Sequence, residues 1–242
     1  MFIFIRLFLA HLVGDFILQF DNIYRLKYRG LTGVIPHVLL IMASMAVFSW
    51  PYLVQPGLWI FLGFIGISHL IQDWVKANHI NIKDNFWIYF LDQVLHVIAI
   101  SVVFLTGLKA LKPPSYNNII VLLYNNDSLF IYAIAAILAS YNGFYMVTNF
   151  KKSYLSVQCA CTPFEKWYGI LERFLIVSLF FLGGAYLFFL LVLAVFRPIA
   201  FSLFRKKTAI DGRFTSFREF VLSWSIALTI GTILRLTLNY LT

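Results

Sequence analysis

Apolar residues run in blocks of about twenty along most of the chain. Short stretches that collect prolines, charges and polar side chains separate them. A helix needs roughly 20 mostly apolar residues to cross a bilayer, and the pattern predicts eight such spans: 2–20, 33–50, 57–76, 87–107, 128–148, 165–183, 185–204 and 217–240. The sixth and seventh form one apolar stretch broken only at Gly183 and Gly184, which reads as a tight turn. Ile119–Tyr124 is too short to span and is expected to lie in the interface. Pro51, Pro56, Pro113, Pro114 and Pro163 all fall in the connections, where a residue that breaks helices belongs. The first block has neither a basic leader nor a small-residue cleavage site, so it is expected to be retained as a span.

Composition strengthens this reading. Hydrophobic residues make up 61% of the 242 and charged residues only 12%, with a mean hydropathy of +0.84. A soluble globular domain carries about 25% charge, so a soluble fold and a disordered chain are both excluded. The expected class is an all-α, polytopic transmembrane helical bundle. Residues 1–110 would form a four-helix N-terminal half and residues 111–242 a further membrane half.

The net charge of +9 would point to nucleic acid in a soluble protein. Here thirteen of the nineteen Lys and Arg fall in alternate connections and their helix edges, against two, Lys109 and Lys112, on the other side. Cytoplasmic loops carry such an excess, so both termini are expected outside. The charge then needs no nucleic-acid partner, and the expected partner is the lipid bilayer. Cys159 and Cys161 cannot build a disulfide framework and fit a zinc site poorly. They read as incidental loop residues, and His79 reads as a solvated one.

Ionisable residues inside spans cost a few kcal/mol each on insertion scales, and each is by default a functional candidate. The first span carries His11 and Asp15 in HLVGD, then Gln19; the second carries His37; the third carries His69 and Asp73 in HLIQD, then Lys76; the fourth carries Asp92, Gln93 and His96 in LDQVLH. His11 with Asp15, His69 with Asp73, and Asp92 with His96 are spaced four apart. Each pair therefore shares a helix face, where two side chains can bind one ion or one can orient the other. With alternating span directions all of them reach one depth, on the cytoplasmic side. Lys76 reads as a helix-end residue that snorkels to the interface, and Gln19 and Gln93 as supporting residues.

The spacing also repeats. His11 to His69 and Asp15 to Asp73 are both 58 residues, and His37 to His96 is 59. HLVGDFIL aligns with HLIQDWVK, as two hairpins in parallel orientation would require. A second polar group, Glu172, Arg173, Arg197 and Glu219, reads as a structural ion-pair network, and Asn142, Tyr145 and Asn149 could face either cluster.

HLVGDFILQ, the single His early in the second span, SHLIQDWVK and FLDQVLH resemble a bacterial membrane-protein family known as domain of unknown function 3307. GILER at 169–173 and REFVLSWS at 218–225 resemble the C-terminal half of its longer members. The resemblance implies a multi-pass protein of the bacterial inner (plasma) membrane and supplies no activity.

Three functional readings follow. The first is a membrane-embedded metal-dependent hydrolase acting on a lipid-borne substrate. Its ligands to one or two divalent ions would be His11, Asp15, His37, His69, Asp73, Asp92 and His96, with zinc the first guess and iron or manganese next. Asp15 or Asp92 would serve as general base. The second is a proton- or cation-coupled transporter using the same residues, against which the spans show no polar path through their outer halves. The third is an accessory membrane protein whose polar core only fixes helix packing.

Overall fold

A computed structural model describes residues 1–78, 85–115, 118–154, 163–205 and 217–241; His79, Cys159 and Cys161 lie outside them. Among the described residues the regular structure is entirely helical. The helices are α1 (Phe2–Leu12, continued by a π-helical turn Val13–Ile17), α2 (Asp21–Leu26), α3 (Leu31–Phe48), α4 (Pro56–Asn78), α5 (Phe86–Ser101), α6 (Ile119–Tyr124), α7 (Asp127–Ile137), α8 (Gly143–Tyr154), α9 (Pro163–Leu182), α10 (Phe189–Arg205) and α11 (Phe217–Leu241). A second π-helical turn, Leu138–Asn142, joins α7 to α8.

Among the described residues five helices are long and apolar enough to cross a membrane, not eight: Leu31–Phe48, Pro56–Asn78, Phe86–Leu105, Asp127–Tyr154 and Glu219–Leu241. The three other predicted spans differ for separate reasons. The first helix stops at Ile17 and bends by 84° into the segment after it, so it counts only as part of a broken sixth span. Helix α9 has the length but carries Glu165, Lys166, Glu172 and Arg173. The apolar part of the next helix, Gly184–Ile199, is too short. The predicted break between those two is present: α9 ends at Leu182, and Gly183 and Gly184 both take positive φ, +66° and +57°. That conformation costs glycine little.

The chain divides into two units, Met1–Ile134 with Asn149–Val157, and Ala135–Thr148 with Gln158–Thr242. In the first unit α3 packs on α1 and α4, and α5 packs on the same two helices, which closes a four-helix ring. Buried stripes recur at helical spacing. They run through Ile3, Leu7 and Ala10 on α1, Val34, Ile41 and Met45 on α3, and Leu58, Leu62 and Ile65 on α4, all at 2% exposure or less. These stripes do not stay apolar. On α4 the Leu58–Leu62–Ile65 line continues into buried His69 and Asp73, and on α1 it continues into His11 and Asp15. The ring thus has a polar layer at one end and a mostly apolar one at the other, where the buried Arg6 of α1 pairs with Asp127.

Two close approaches set the ring's width. At Gly14 an added Cβ would lie 2.9 Å from the Ile41 Cα of α3; at Gly66 it would lie 2.7 Å from the Met42 sulfur of the same helix. Between them the Ser44 hydroxyl donates to the Ala10 carbonyl at 2.8 Å. The outward faces carry exposed Leu39, Ile60, Ile67, Ile71, Leu91, Leu95 and Ile98. An apolar exterior around a polar interior reverses the soluble arrangement and suits lipid as the solvent.

In the second unit α9 packs against α11, α10 and the π-helical turn Leu138–Asn142. Arg173 donates to the carbonyls of Ala139 (2.8 Å) and Ser140 (3.2 Å) and to the Ser223 hydroxyl (2.8 Å). A π-helical turn disturbs the regular helical ladder, and the guanidinium occupies acceptors there. Arg197 pairs with Glu172. Two of the four residues expected to form an ion-pair network thus pair with each other, while Arg173 binds backbone and a hydroxyl.

Candidate metal centre

All seven candidate residues come from the polar layer of the first unit, and all seven are buried. They form three overlapping groups whose ligand atoms lie within 4.8 Å of one another, close enough to share a metal ion: His11, His69 and His96; Asp15, His37 and His69; Asp73, Asp92 and His96. Four helices contribute, as the shared depth in the sequence requires.

The pairs form largely as spaced. His69 Nε2 lies 3.3 Å from Asp73 Oδ2, and His96 Nε2 lies 3.9 Å from Asp92 Oδ1. Asp15 differs, because it sits in the π-helical turn Val13–Ile17, whose wider winding changes its direction relative to His11. Its Oδ1 meets His37 Nε2 across the ring at 3.1 Å. The glycine contact at Gly14 brings α3 close enough for this.

His37 Nε2 is the crowded atom. Asp15 Oδ1 lies at 3.1 Å, His69 Nε2 at 3.2 Å and Asp73 Oδ2 at 3.5 Å. A neutral imidazole carries at most one proton there, so His37 Nε2 can donate to only one of these three neighbours. A cation resolves that conflict. The remaining rings crowd in too: His69 stacks on His96 at 4.2 Å between centroids, and His11 meets both edge-on at 5.3 and 5.0 Å. His11 Nδ1, His37 Nδ1, His69 Nδ1 and His96 Nε2 are buried with no hydrogen-bond partner among the described residues. Buried polar atoms are rarely left so.

Two lysines belong to the site, and the sequence reading assigned them elsewhere. Lys27, expected in a basic rim, is buried with its Nζ 2.7 Å from Asp73 Oδ2 and 3.4 Å from the Gln19 side chain. Lys76, expected to snorkel, places its Nζ 2.5 Å from Asp92 Oδ2, which Gln93 also contacts at 3.3 Å. For Lys76 a signal existed: it follows His69 and Asp73 on the same face of α4 at spacings of four and three. Lys27 had none, since only the sharp bend after Ile17 returns it to the ring. The three aspartates and two lysines leave one uncompensated negative charge in the layer while the imidazoles are neutral.

Compared with known proteins, residues 3–123 match a family model described as "Protein of unknown function (DUF3307)". The matched stretch takes in α1 to α5 and the whole polar layer. No curated protein and no solved structure matches the chain.

Proposed function

The chain belongs to this DUF3307 family, and we propose that it is a membrane-embedded, metal-dependent hydrolase whose centre is the polar layer of the N-terminal unit. One observation carries the reading. Asp15 Oδ1, His69 Nε2 and Asp73 Oδ2 converge on the buried His37 Nε2 at 3.1, 3.2 and 3.5 Å, an array of ligand-type atoms around one point.

His11, Asp15, His37, His69, Asp73, Asp92 and His96 would hold one or two divalent ions. The mixed imidazole and carboxylate set suits zinc first, then iron or manganese. Such an ion supplies a water of pKa near 7 as nucleophile. The chain's own residues do the rest. Whichever of Asp15 and Asp92 does not ligate the ion would take the proton of the attacking water. Lys27 and Lys76 put fixed positive charge beside the centre, where an oxyanion would develop. The apolar exterior of α4 and α5 favours a lipid-borne substrate entering from the bilayer. Arg25 and Arg29, exposed just before α3, favour a mouth on the cytoplasmic side of the inner membrane.

The test is the metal content of detergent-purified protein, by elemental analysis, for wild type and for the variant carrying His69→Ala and Asp73→Ala. Stoichiometric metal in the wild type and none in the variant supports the reading. Folded wild-type protein that stays metal-free after incubation with zinc, iron and manganese overturns it, and proton flux in proteoliposomes would then favour the transporter.

A further inference from the structure

We infer that the centre is built for one metal ion, and that a second seat, Asp73–Asp92–His96, is filled from within by the ammonium group of Lys76. This rests on the metal-binding reading above and specifies its stoichiometry.

The three candidate groups differ in what already holds their carboxylates. The group His11–His69–His96 has none. In Asp73–Asp92–His96 both carboxylates carry a lysine: Lys27 on Asp73 at 2.7 Å and Lys76 on Asp92 at 2.5 Å. In Asp15–His37–His69 the carboxylate forms no ion pair with a lysine among the described residues, and its neighbour is the His37 imidazole at 3.1 Å. Of the three carboxylates, Asp15 is thus the one on which a lysine acts only at longer range. A divalent ion is most favoured there, beside the ring nitrogens of His37 and His69.

The second group has the composition of a seat too. His96 is 3% exposed, and its Nε2 has no hydrogen-bond partner among the described residues. It is the donor an ion would use together with Asp73 and Asp92. An ion placed there would lie within a few Å of the Lys76 ammonium, and like charges at that distance beside the buried Asp92 carboxylate repel. The lysine supplies the positive charge that a second ion supplies in a two-metal centre. It is covalently tethered and does not depend on metal supply.

Zinc equivalents bound by the purified, full-length protein test this. Wild type is expected to saturate at one. Lys76→Met removes the ammonium and keeps the length of the side chain, and is expected to bind two. Adding Asp92→Asn to Lys76→Met is expected to return the value to one. Two equivalents in wild type, or one in a folded Lys76→Met protein, overturn the inference and leave the metal-binding reading intact. Zero in wild type and in both variants overturns both. Should Lys76→Met fail to fold, titration of wild type with cobalt(II) decides: one spectral species saturating at one equivalent is expected, and saturation at two overturns the inference.

Discussion

His37 and His69 face each other through their Nε2 atoms at 3.2 Å, inside a ring of four helices where neither imidazole meets solvent. Each Nε2 can give a proton to only one neighbour, and Asp15 stands against His37 while Asp73 is shared by His37, His69 and the Lys27 ammonium. Asp15→Asn keeps the shape of the side chain and removes its negative charge. We expect metal affinity to fall by more than the ~10–100-fold usual for residues that only support a ligand. Isothermal titration with zinc would measure it. An Asp15→Asn protein with wild-type affinity would remove Asp15 from the ligand set.

The buried pair of Lys27 and Asp73 makes a second prediction. Removing one member of a buried ion pair costs about 3–5 kcal/mol, because the other is left uncompensated. Lys27→Met alone should therefore destabilise the protein strongly. Lys27→Met with Asp73→Asn should recover much of the loss, since a neutral pair of similar size is close to isoenergetic with the ion pair. Denaturant unfolding in detergent, run as a double-mutant cycle under chelation, isolates the coupling. A coupling near zero would mean that His37 and His69, rather than Lys27, hold Asp73.

Gly14 and Gly66 flank α3, and their substitution should have unequal effects. A Cβ at Gly14 meets the Ile41 backbone at 2.9 Å, whereas one at Gly66 meets the end of a flexible Met42 side chain. Gly14→Ala should push α1 and α3 apart, with an overpacking cost of about 1–3 kcal/mol, and should lengthen the Asp15–His37 contact. Gly66→Ala should be absorbed by a new Met42 rotamer. Thermal unfolding and zinc affinity together check the contrast. Equal losses in the two variants would show that α3 is not pinned at Gly14.

Much of this site was legible from spacing alone. The seven residues stand out because charge is scarce in the spans, and i,i+4 periodicity assigns His69–Asp73 and Asp92–His96 to shared faces, as observed. What periodicity could not show was local departure from the α-helix. The π-helical turn at Val13–Ile17 sends Asp15 to His37, and the bend that follows brings Lys27 back into the ring. The span count erred for a related reason. Apolar run length does not show where a helix bends, as after Ile17, and the four charges of α9, though visible in the sequence, were outweighed there by the apolar residues around them.

Arg173 tests the second unit by itself. Its guanidinium satisfies two carbonyls of the π-helical turn and the Ser223 hydroxyl through three nitrogens. Hydrogen bonds to a charged group are worth about 1.5–3 kcal/mol each, and a buried acceptor left without a partner costs about 1–3 kcal/mol. Arg173→Met should therefore lower stability by about 3 kcal/mol or more. Arg173→Lys should rescue little, because a point-like ammonium cannot reproduce the planar fork. Ser223→Ala removes one acceptor and leaves both carbonyls capped, so its cost should be about 1 kcal/mol. Thermal melts of the three variants give the order Met close to Lys, with Ala well above both. A Lys variant as stable as wild type would mean that charge, and not the shape of the fork, is what the turn requires. Zinc binding measured well below each midpoint should stay at the wild-type value in all three, since none of these side chains belongs to the polar layer.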